Sequence, residues 1–350
     1  MTKIFISFLC VVHSIGFAND YIHVDSRVRR YPHFKEIHDL GYRIQNDFKT
    51  DKERVRAAFI WLTINMTYER VIEENLNQKV YISFKDERAK HKQLRDIALN
   101  KIEKSFALRK GVCTDYSLIL NELCMQFGLP TKVIVGVSKT EINSNISENL
   151  IKNHTWNAVQ IGGTWQLMDP TWASGFIDTR SKKFVRKHIE HFFFTDPEDF
   201  AKHNLPNNEE WQLLREPVSA KEFYSAPYYY PEFFGKGIAL SSNTNGILKK
   251  SDETINYIYF DKLPPQHGMY YMVHGTGELR RLGFKKLAKN AYVSKIRLKK
   301  KLYKDHSLLT VFMDEKPILN FKIEDLYTNQ IIKKTPNNEQ QKNPNSLDLK

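Results

Sequence analysis

The sequence predicts an α+β protein, a helix-led first part followed by a small all-β part, and three stretches carry that prediction. From Tyr116 the apolar residues fall at Tyr116, Ile119, Leu120, Leu123, Cys124 and Phe127, the spacing of one buried helical face. Between Asn153 and Thr171 two β-prone runs flank Gly162-Gly163, the composition of a two-residue hairpin turn. Beyond Gly237 short strand-like runs at 255–260, 269–273, 292–302 and 308–313 alternate with polar breaks, which suits a small β-sandwich.

A chain of 350 residues has room for two domains. The reading divides it into a signal peptide at 1–18, a core at 19–215, a Pro/Tyr-rich linker at 216–236, a β-rich domain at 237–333 and a disordered tail at 334–350. Lys3 precedes an apolar run from Ile4 to Phe17, and Gly16-Phe17-Ala18 offers the small residues that a signal peptidase reads. Cleavage after Ala18 and export to a periplasmic or extracellular space are therefore expected. That run is short for a membrane span and no later segment reaches its length, so no transmembrane segment is expected. The tail is rich in Asn, Gln, Lys and Pro, a composition that buries too little to fold.

Ahead of the organising helix, 19–31 reads as an extended polar lead-in, and 34–48 as a helix with Ile37, Leu40, Ile44 and Phe48 on one face. Thr50-Asp51-Lys52-Glu53 is a capping-box pattern that opens a second helix. The charged stretch 73–104 reads as a surface excursion with an irregular helix over 91–104. After the 116–127 helix, stopped by Gly128 and Pro130, Val133, Ile134, Val135 and Val137 suit a buried strand.

Export leaves two cysteines, Cys113 and Cys124. Both fall on one predicted helix, roughly 16 Å apart along its axis, too far to bridge when a disulfide needs Cα atoms within about 7 Å. Cys124 belongs to the apolar stripe. Cys113 follows Arg109-Lys110-Gly111-Val112 and lies in the helix's first turn, where backbone N–H groups and the dipole favour a thiolate. By itself such a cysteine is equally a small core residue.

The hairpin supplies partners. A two-residue turn at Gly162-Gly163 pairs Ile161 with Thr164 and Gln160 with Trp165, and so back to Trp156 opposite Asp169. Strand side chains alternate, so His154, Trp156 and Asp169 share a face. His154 and Asp169 become diagonal neighbours with Cβ atoms roughly 7 Å apart. A three-residue turn would put them on opposite faces. Cys113, His154 and Asp169 thus have the types needed for a nucleophile, a general base and acid, and an imidazole orienter.

These residues resemble a known family. Gly111-Val112-Cys113, His154-Thr155-Trp156-Asn157-Ala158-Val159 and Met168-Asp169-Pro170-Thr171-Trp172 look like the three core motifs of the transglutaminase-like superfamily. Trp172-Ala173-Ser174-Gly175, the run 192–200, His203 and Trp211-Gln212-Leu213-Leu214 look most like its kyphoscoliosis-peptidase-like branch. The resemblance spans roughly 55–234. It implies a papain-like transglutaminase core with the nucleophile helix packed on an antiparallel sheet, with Cys113, His154 and Asp169 as the catalytic set. One departure is Thr114-Asp115, where relatives often carry Glu-Gly; a carboxylate beside the thiol opposes thiolate formation.

The chemistry these residues imply is acyl transfer. The Cys113 thiolate attacks a peptide or carboxamide carbonyl, and the backbone N–H of Cys113 serves as one oxyanion donor. His154 protonates the leaving amine, and a thioester results. Water as acceptor makes a peptidase or amidase; an amine makes a cross-linking transglutaminase. A non-catalytic binding module for proteins or cell-surface polymer is the remaining alternative. Trp156, Trp165 and Trp172 are candidates to wall a substrate groove, with Trp156 and Trp172 taken as the substrate-binding pair and aromatic core packing the alternative role for at least two of the three.

The net charge of +13 is concentrated. Residues 280–304 hold eleven Lys or Arg and no acid, and Lys295, Arg297, Lys299 and Lys301 alternate with apolar residues along one expected strand. Its cationic face suits an anionic cell-surface polymer or serves as edge lysines against aggregation. No base-reading motif, metal-ligand spacing or phosphate-cradling loop occurs, so nucleic acid, metal and cofactor are not expected. Asn153-His154-Thr155 forms an N-glycosylation acceptor pattern; a glycan there would crowd the proposed base.

Overall fold

Helices form first along the chain, and tertiary burial decides most of them. The computed structural model of the protein describes residues 20–69, 84–139, 142, 153–178, 180–242, 244–251, 255–264, 268–298 and 307–325. The expected signal peptide at 1–18 and tail at 334–350 lie outside these residues, as do Lys299 and Lys301. Helix α1 spans Ile22–Val28, α2 Ile37–Asp47 and α3 Asp51–Asn65. Within the stretch expected to be extended over 19–31, Ile22–Val28 is thus corrected to a helix. Its Val24 and Val28, one turn apart, are buried and its Asp25 ion-pairs with the buried Arg56 at 2.7 Å, so packing stabilises a helix that local sequence does not announce.

Helix α3 begins at the expected capping box. Thr50 N–H donates to Glu53 Oε2 at 3.1 Å and Glu53 N–H to Thr50 Oγ1 at 3.3 Å. It is buried on nearly every side from Val55 to Thr63, and Trp61 stacks on Phe106 with ring centroids 5.0 Å apart. Phe106 belongs to α4, Glu87–Leu108, a longer helix than the sequence suggests. Its first half is almost wholly exposed, with burial concentrated at Ile102, Ser105 and Phe106. Short strands β1, Thr67–Tyr68, and β2, Lys110–Gly111, then pair in parallel.

Helix α5, Cys113–Gln126, is the centre of the first domain. It packs on a four-stranded antiparallel sheet in the order β5-β4-β3-β8, formed by β3 Thr131–Ser138, β4 His154–Ile161, β5 Thr164–Met168 and β8 Asn204–Pro206. Between β5 and β8 run α6, Pro170–Ser174; β6, Gly175–Ile177; β7, Phe184–Arg186; and α7, Pro197–Phe200. Gly162 and Gly163 sit at φ 58° and 82°, the left-handed pair that a type I′ turn requires, and Ile161 pairs Thr164 as expected from a two-residue loop. Asn157 Nδ2 donates to the Ser117 carbonyl at 2.9 Å, pinning β4 to α5.

The segment 216–236 holds α8, Ala220–Ser225, and β9, Tyr228–Tyr229. Rather than spanning open space, β9 pairs with β18, and the buried Lys139 at the end of β3 donates Nζ to the Phe223 and Ala226 carbonyls at 2.5 and 2.7 Å. The second part comprises β10 Ala239–Leu240, β11 Ile247–Lys250, β12 Ile255–Lys262, β13 Met269–Val273, β14 Leu279–Arg281, β15 Lys285–Ala288, β16 Ala291–Arg297, β17 Leu308–Met313 and β18 Lys316–Asp325. One sheet runs β10-β12-β16-β15 and the other β11-β18-β17-β13-β14. Ile258, Phe260 and Ile296 of the first pack with Met269, Val311 and Phe321 of the second in one cluster, the inner layer of a sandwich. The strand expected over 292–302 ends among the described residues at Arg297; Lys295 and Arg297 are exposed while Ile296 and Leu298 are buried. Among the described residues no helix is long and apolar enough to cross a membrane.

Candidate active site

Cys113 is the first residue of α5, so its backbone N–H is among the helix's unpaired leading donors. Its neighbour Asp115 is buried, and the carboxylate turns back over the helix start. Oδ2 accepts the Val112 N–H at 2.8 Å, Oδ1 accepts the Ser105 hydroxyl at 2.9 Å, and Lys101 Nζ lies at 3.5 Å. The acid therefore caps the helix and is met by a cation. Gly111 is required by this arrangement, because a Cβ there would stand 2.5 Å from the Asp115 Cβ and 2.7 Å from Oδ2.

His154 opens β4 and Asp169 follows β5, across the hairpin. His154 Nε2–H donates to Asp169 Oδ2 at 2.6 Å, with His154 7% and Asp169 0% exposed. A short contact in so dry a place is a strong one. Four donors hold this carboxylate. Besides His154, Asn204 Nδ2 reaches Oδ2 at 3.3 Å, and the N–H groups of Thr171 and Trp172 reach Oδ1 at 3.1 and 3.0 Å. Asp169 is thus also the N-cap of α6. Asn204 is itself fixed, its Oδ1 accepting the Ser138 hydroxyl at 2.7 Å.

With Nε2 engaged by Asp169, Nδ1 is the ring nitrogen left for the thiol. Burial pushes the Cys113 thiol up, but hydrogen bonding and charge from His154, with a smaller contribution from Thr155, outweigh it and leave the thiol below its ordinary value. Burial lowers His154, yet the Asp169 charge and hydrogen bond, and then Cys113, raise it well above an ordinary imidazole. Both directions favour a thiolate–imidazolium pair. Cys124 shows the contrast: burial pushes it up to about 12, as befits a core thiol.

Of the two tryptophans expected to wall a substrate site, Trp156 is corrected to a core residue. It is fully buried and packs with Ile134, Ala158, Leu167 and Phe200. Gly136 makes room for it, since a Cβ there would meet the Trp156 ring at 2.6 Å. Trp172 lies 6.0 Å from His154, centroid to centroid, and borders a cavity of about 780 Å³ that His154 also lines. Sequence reasoning missed Asn204 on β8, which holds Asp169, and Ser138 at the end of β3, which holds Asn204. It also missed the capping role of Asp115, whose position three residues after Val112 was the available signal. Among the described residues no cluster of His, Cys, Asp and Glu could hold a metal ion.

A helix-start thiol on an antiparallel sheet that presents a His–Asp pair defines a class. Residues 39–170 match the model of the transglutaminase-like superfamily, and the chain carries a transglutaminase-like domain. Cys113, His154 and Asp169 all fall within the matched segment. Among curated proteins the chain is 28% identical to kyphoscoliosis peptidase of Mus musculus over 256 residues, covering 71% of this chain and 35% of that protein. It is 25% identical over 236 residues to hillarin of Drosophila melanogaster, covering 63% and 26%. It is 24% identical over 243 residues to the Lim and transglutaminase domain protein ltd-1 of Caenorhabditis elegans, covering 65% and 30%. The chain therefore spans about a third or less of the length of these relatives.

Proposed function

We propose that the protein is an exported cysteine peptidase or amidase of transglutaminase-like type, with Cys113 as nucleophile, His154 as general base and acid, and Asp169 as the carboxylate that orients the imidazole. The observation that carries this reading is the 2.6 Å bond from His154 Nε2 to Asp169 Oδ2. It leaves Nδ1 for a thiol whose ordinary value is already lowered by that imidazole. The Cys113 thiolate attacks the substrate carbonyl carbon, and the carbonyl electron pair moves onto oxygen, where the Cys113 N–H supports it. Collapse expels the amine with a proton from His154 and leaves a thioester. Water, deprotonated by His154, then attacks the thioester, and carboxylic acid departs with the thiolate restored.

Export rests on the 1–18 leader pattern in the sequence. The exposed Lys295 and Arg297 on β16, continued in sequence by Lys299 and Lys301, suit an anionic polymer at the cell surface. Purified protein and its Cys113→Ser variant, offered unlabelled peptides and separately a peptide plus a labelled amine, test the reaction. Amide cleavage that disappears in the variant supports the peptidase. Amine incorporation in preference to cleavage replaces it with a cross-linking transglutaminase, and activity unchanged in the variant refutes both.

A further inference from the structure

The cavity beside His154 lies between the two parts of the chain. The core contributes His154, Thr171, Trp172 and the β6–β7 hairpin; the 216–236 segment contributes Tyr228 and Tyr230, and the second part the start of β18. Its size, about 780 Å³, falls within the range of about 300–1,000 Å³ of ligand-holding clefts. It exceeds what a lone carboxamide side chain fills. Its walls are dominated by rings and branched aliphatics, among them Tyr68, Trp172, Ile177, Phe184, Tyr228 and Pro317. Besides His154, three charged side chains reach it. Lys187 and Glu232 neutralise each other at 2.9 Å across the junction of the two parts, which leaves Lys316 as the one charge at its edge with no ion-pair partner among the described residues.

We propose that this interdomain cavity is a specificity site, which takes a bulky aromatic or branched aliphatic side chain of an extended peptide lying across His154. An apolar wall rewards burial of such a side chain. It penalises a carboxamide or a charge, whose hydrogen bonds to water would be lost without replacement. The Lys187–Glu232 pair adds no net charge to alter that preference, and Lys316 enters from the first residue of β18. The site thus deepens the acyl-transfer reading, on which it relies for the direction of the bound peptide. It also separates the chemistry from the second part's own role: the β-sandwich supplies one wall of the cleft.

Binding tests this without turnover. Full-length Cys113→Ser protein is titrated calorimetrically with blocked pentapeptides that differ only at the central residue. Peptides with a central phenylalanine or leucine are expected to bind at least about tenfold more tightly than those with serine, glutamine or lysine. Ile177→Glu in the same background is expected to abolish that difference while the melting temperature holds. Should Ile177→Glu fail to fold, Phe184→Ser serves the same purpose. Equal affinities, or an apolar preference that survives both substitutions, overturn the proposal. Peptides that bind with this preference yet are never cleaved by the wild-type protein count against the acyl-transfer reading instead. Peptides that are cleaved by the wild-type protein without any side-chain preference count against the cavity.

Discussion

The carboxylate of Asp115 accepts the backbone N–H of Val112 at 2.8 Å, two residues after the thiol it was expected to oppose. The bond turns its charge toward the helix start, where Lys101 and Ser105 also meet it. A residue that reads as an obstacle to thiolate formation is a cap that fixes where the helix begins, and hence where Cys113 sits.

Asp115→Ala removes that cap. It is expected to cost about 1 kcal/mol or somewhat more, read as a lowered denaturation midpoint, and to slow alkylation of Cys113. Gly111→Ala forces a Cβ into the same carboxylate and is expected to cost about 1–3 kcal/mol by overpacking.

Asp169→Asn separates orientation from architecture. Asparagine caps helices about as well as aspartate, so α6 should persist, while the lost charge-assisted bond to the buried His154 is expected to cost about 1.5–3 kcal/mol of overall stability. The amide cannot accept and hold the imidazole as the carboxylate does. Amide cleavage is expected to fall by about 10²–10⁴, with Cys113 alkylation slowed in parallel.

Arg56 is a structural counterpart to the site. It is 2% exposed and forks onto Asp25 at 2.7 and 2.8 Å and onto Glu190 at 2.6 and 2.8 Å, with the Phe193 ring 4.7 Å away. Arg56→Ala leaves the partly exposed Asp25 without its ion pair and Glu190 with His188 alone at 2.9 Å. A loss of about 2–4 kcal/mol is expected, smaller than for a fully buried triad because Asp25 and Glu190 retain water. Burial raises Glu190, but His188 and Arg56 more than compensate and lower it. Its contribution to stability is therefore present above the ordinary carboxylate value and lost as pH falls through the depressed one. Acid unfolding of the wild type and of Glu190→Gln should converge at low pH.

His154 has the opposite sign. Its folded value is raised, so its stabilising contribution is complete below an ordinary imidazole's value of about 6.5 and is lost as pH rises through the raised value. Alkaline destabilisation should be smaller in His154→Gln, measured by denaturant midpoints across the alkaline range.

How much of this was legible depended on range. The His154–Asp169 pair could be read because a turn of two glycines sets the parity of every residue behind it, and fifteen positions of hairpin carry no freedom to slip. Helix α3 could be read from Thr50 and Glu53, which cap it locally. The α1 helix could not, because the reasons for it are Arg56, 31 residues away, and a core its two valines reach only in three dimensions. Asn204 was invisible for the same reason, lying 35 residues beyond the aspartate it holds. Whether Trp156 walls a groove or packs in the core could not be read, because a strand's alternation tells which face a ring takes but not whether that face is covered; Phe200 covers it, with ring centroids 6.0 Å apart.

The central claim is that Cys113, His154 and Asp169 act as one unit, and the rate at which iodoacetamide alkylates Cys113 as a function of pH tests it most directly. The account predicts a midpoint below the ordinary thiol value of about 8.5 in the wild type, moving up toward that value in His154→Ala, with Asp169→Asn between them. A wild-type midpoint at the ordinary value, unchanged by either substitution, would contradict it.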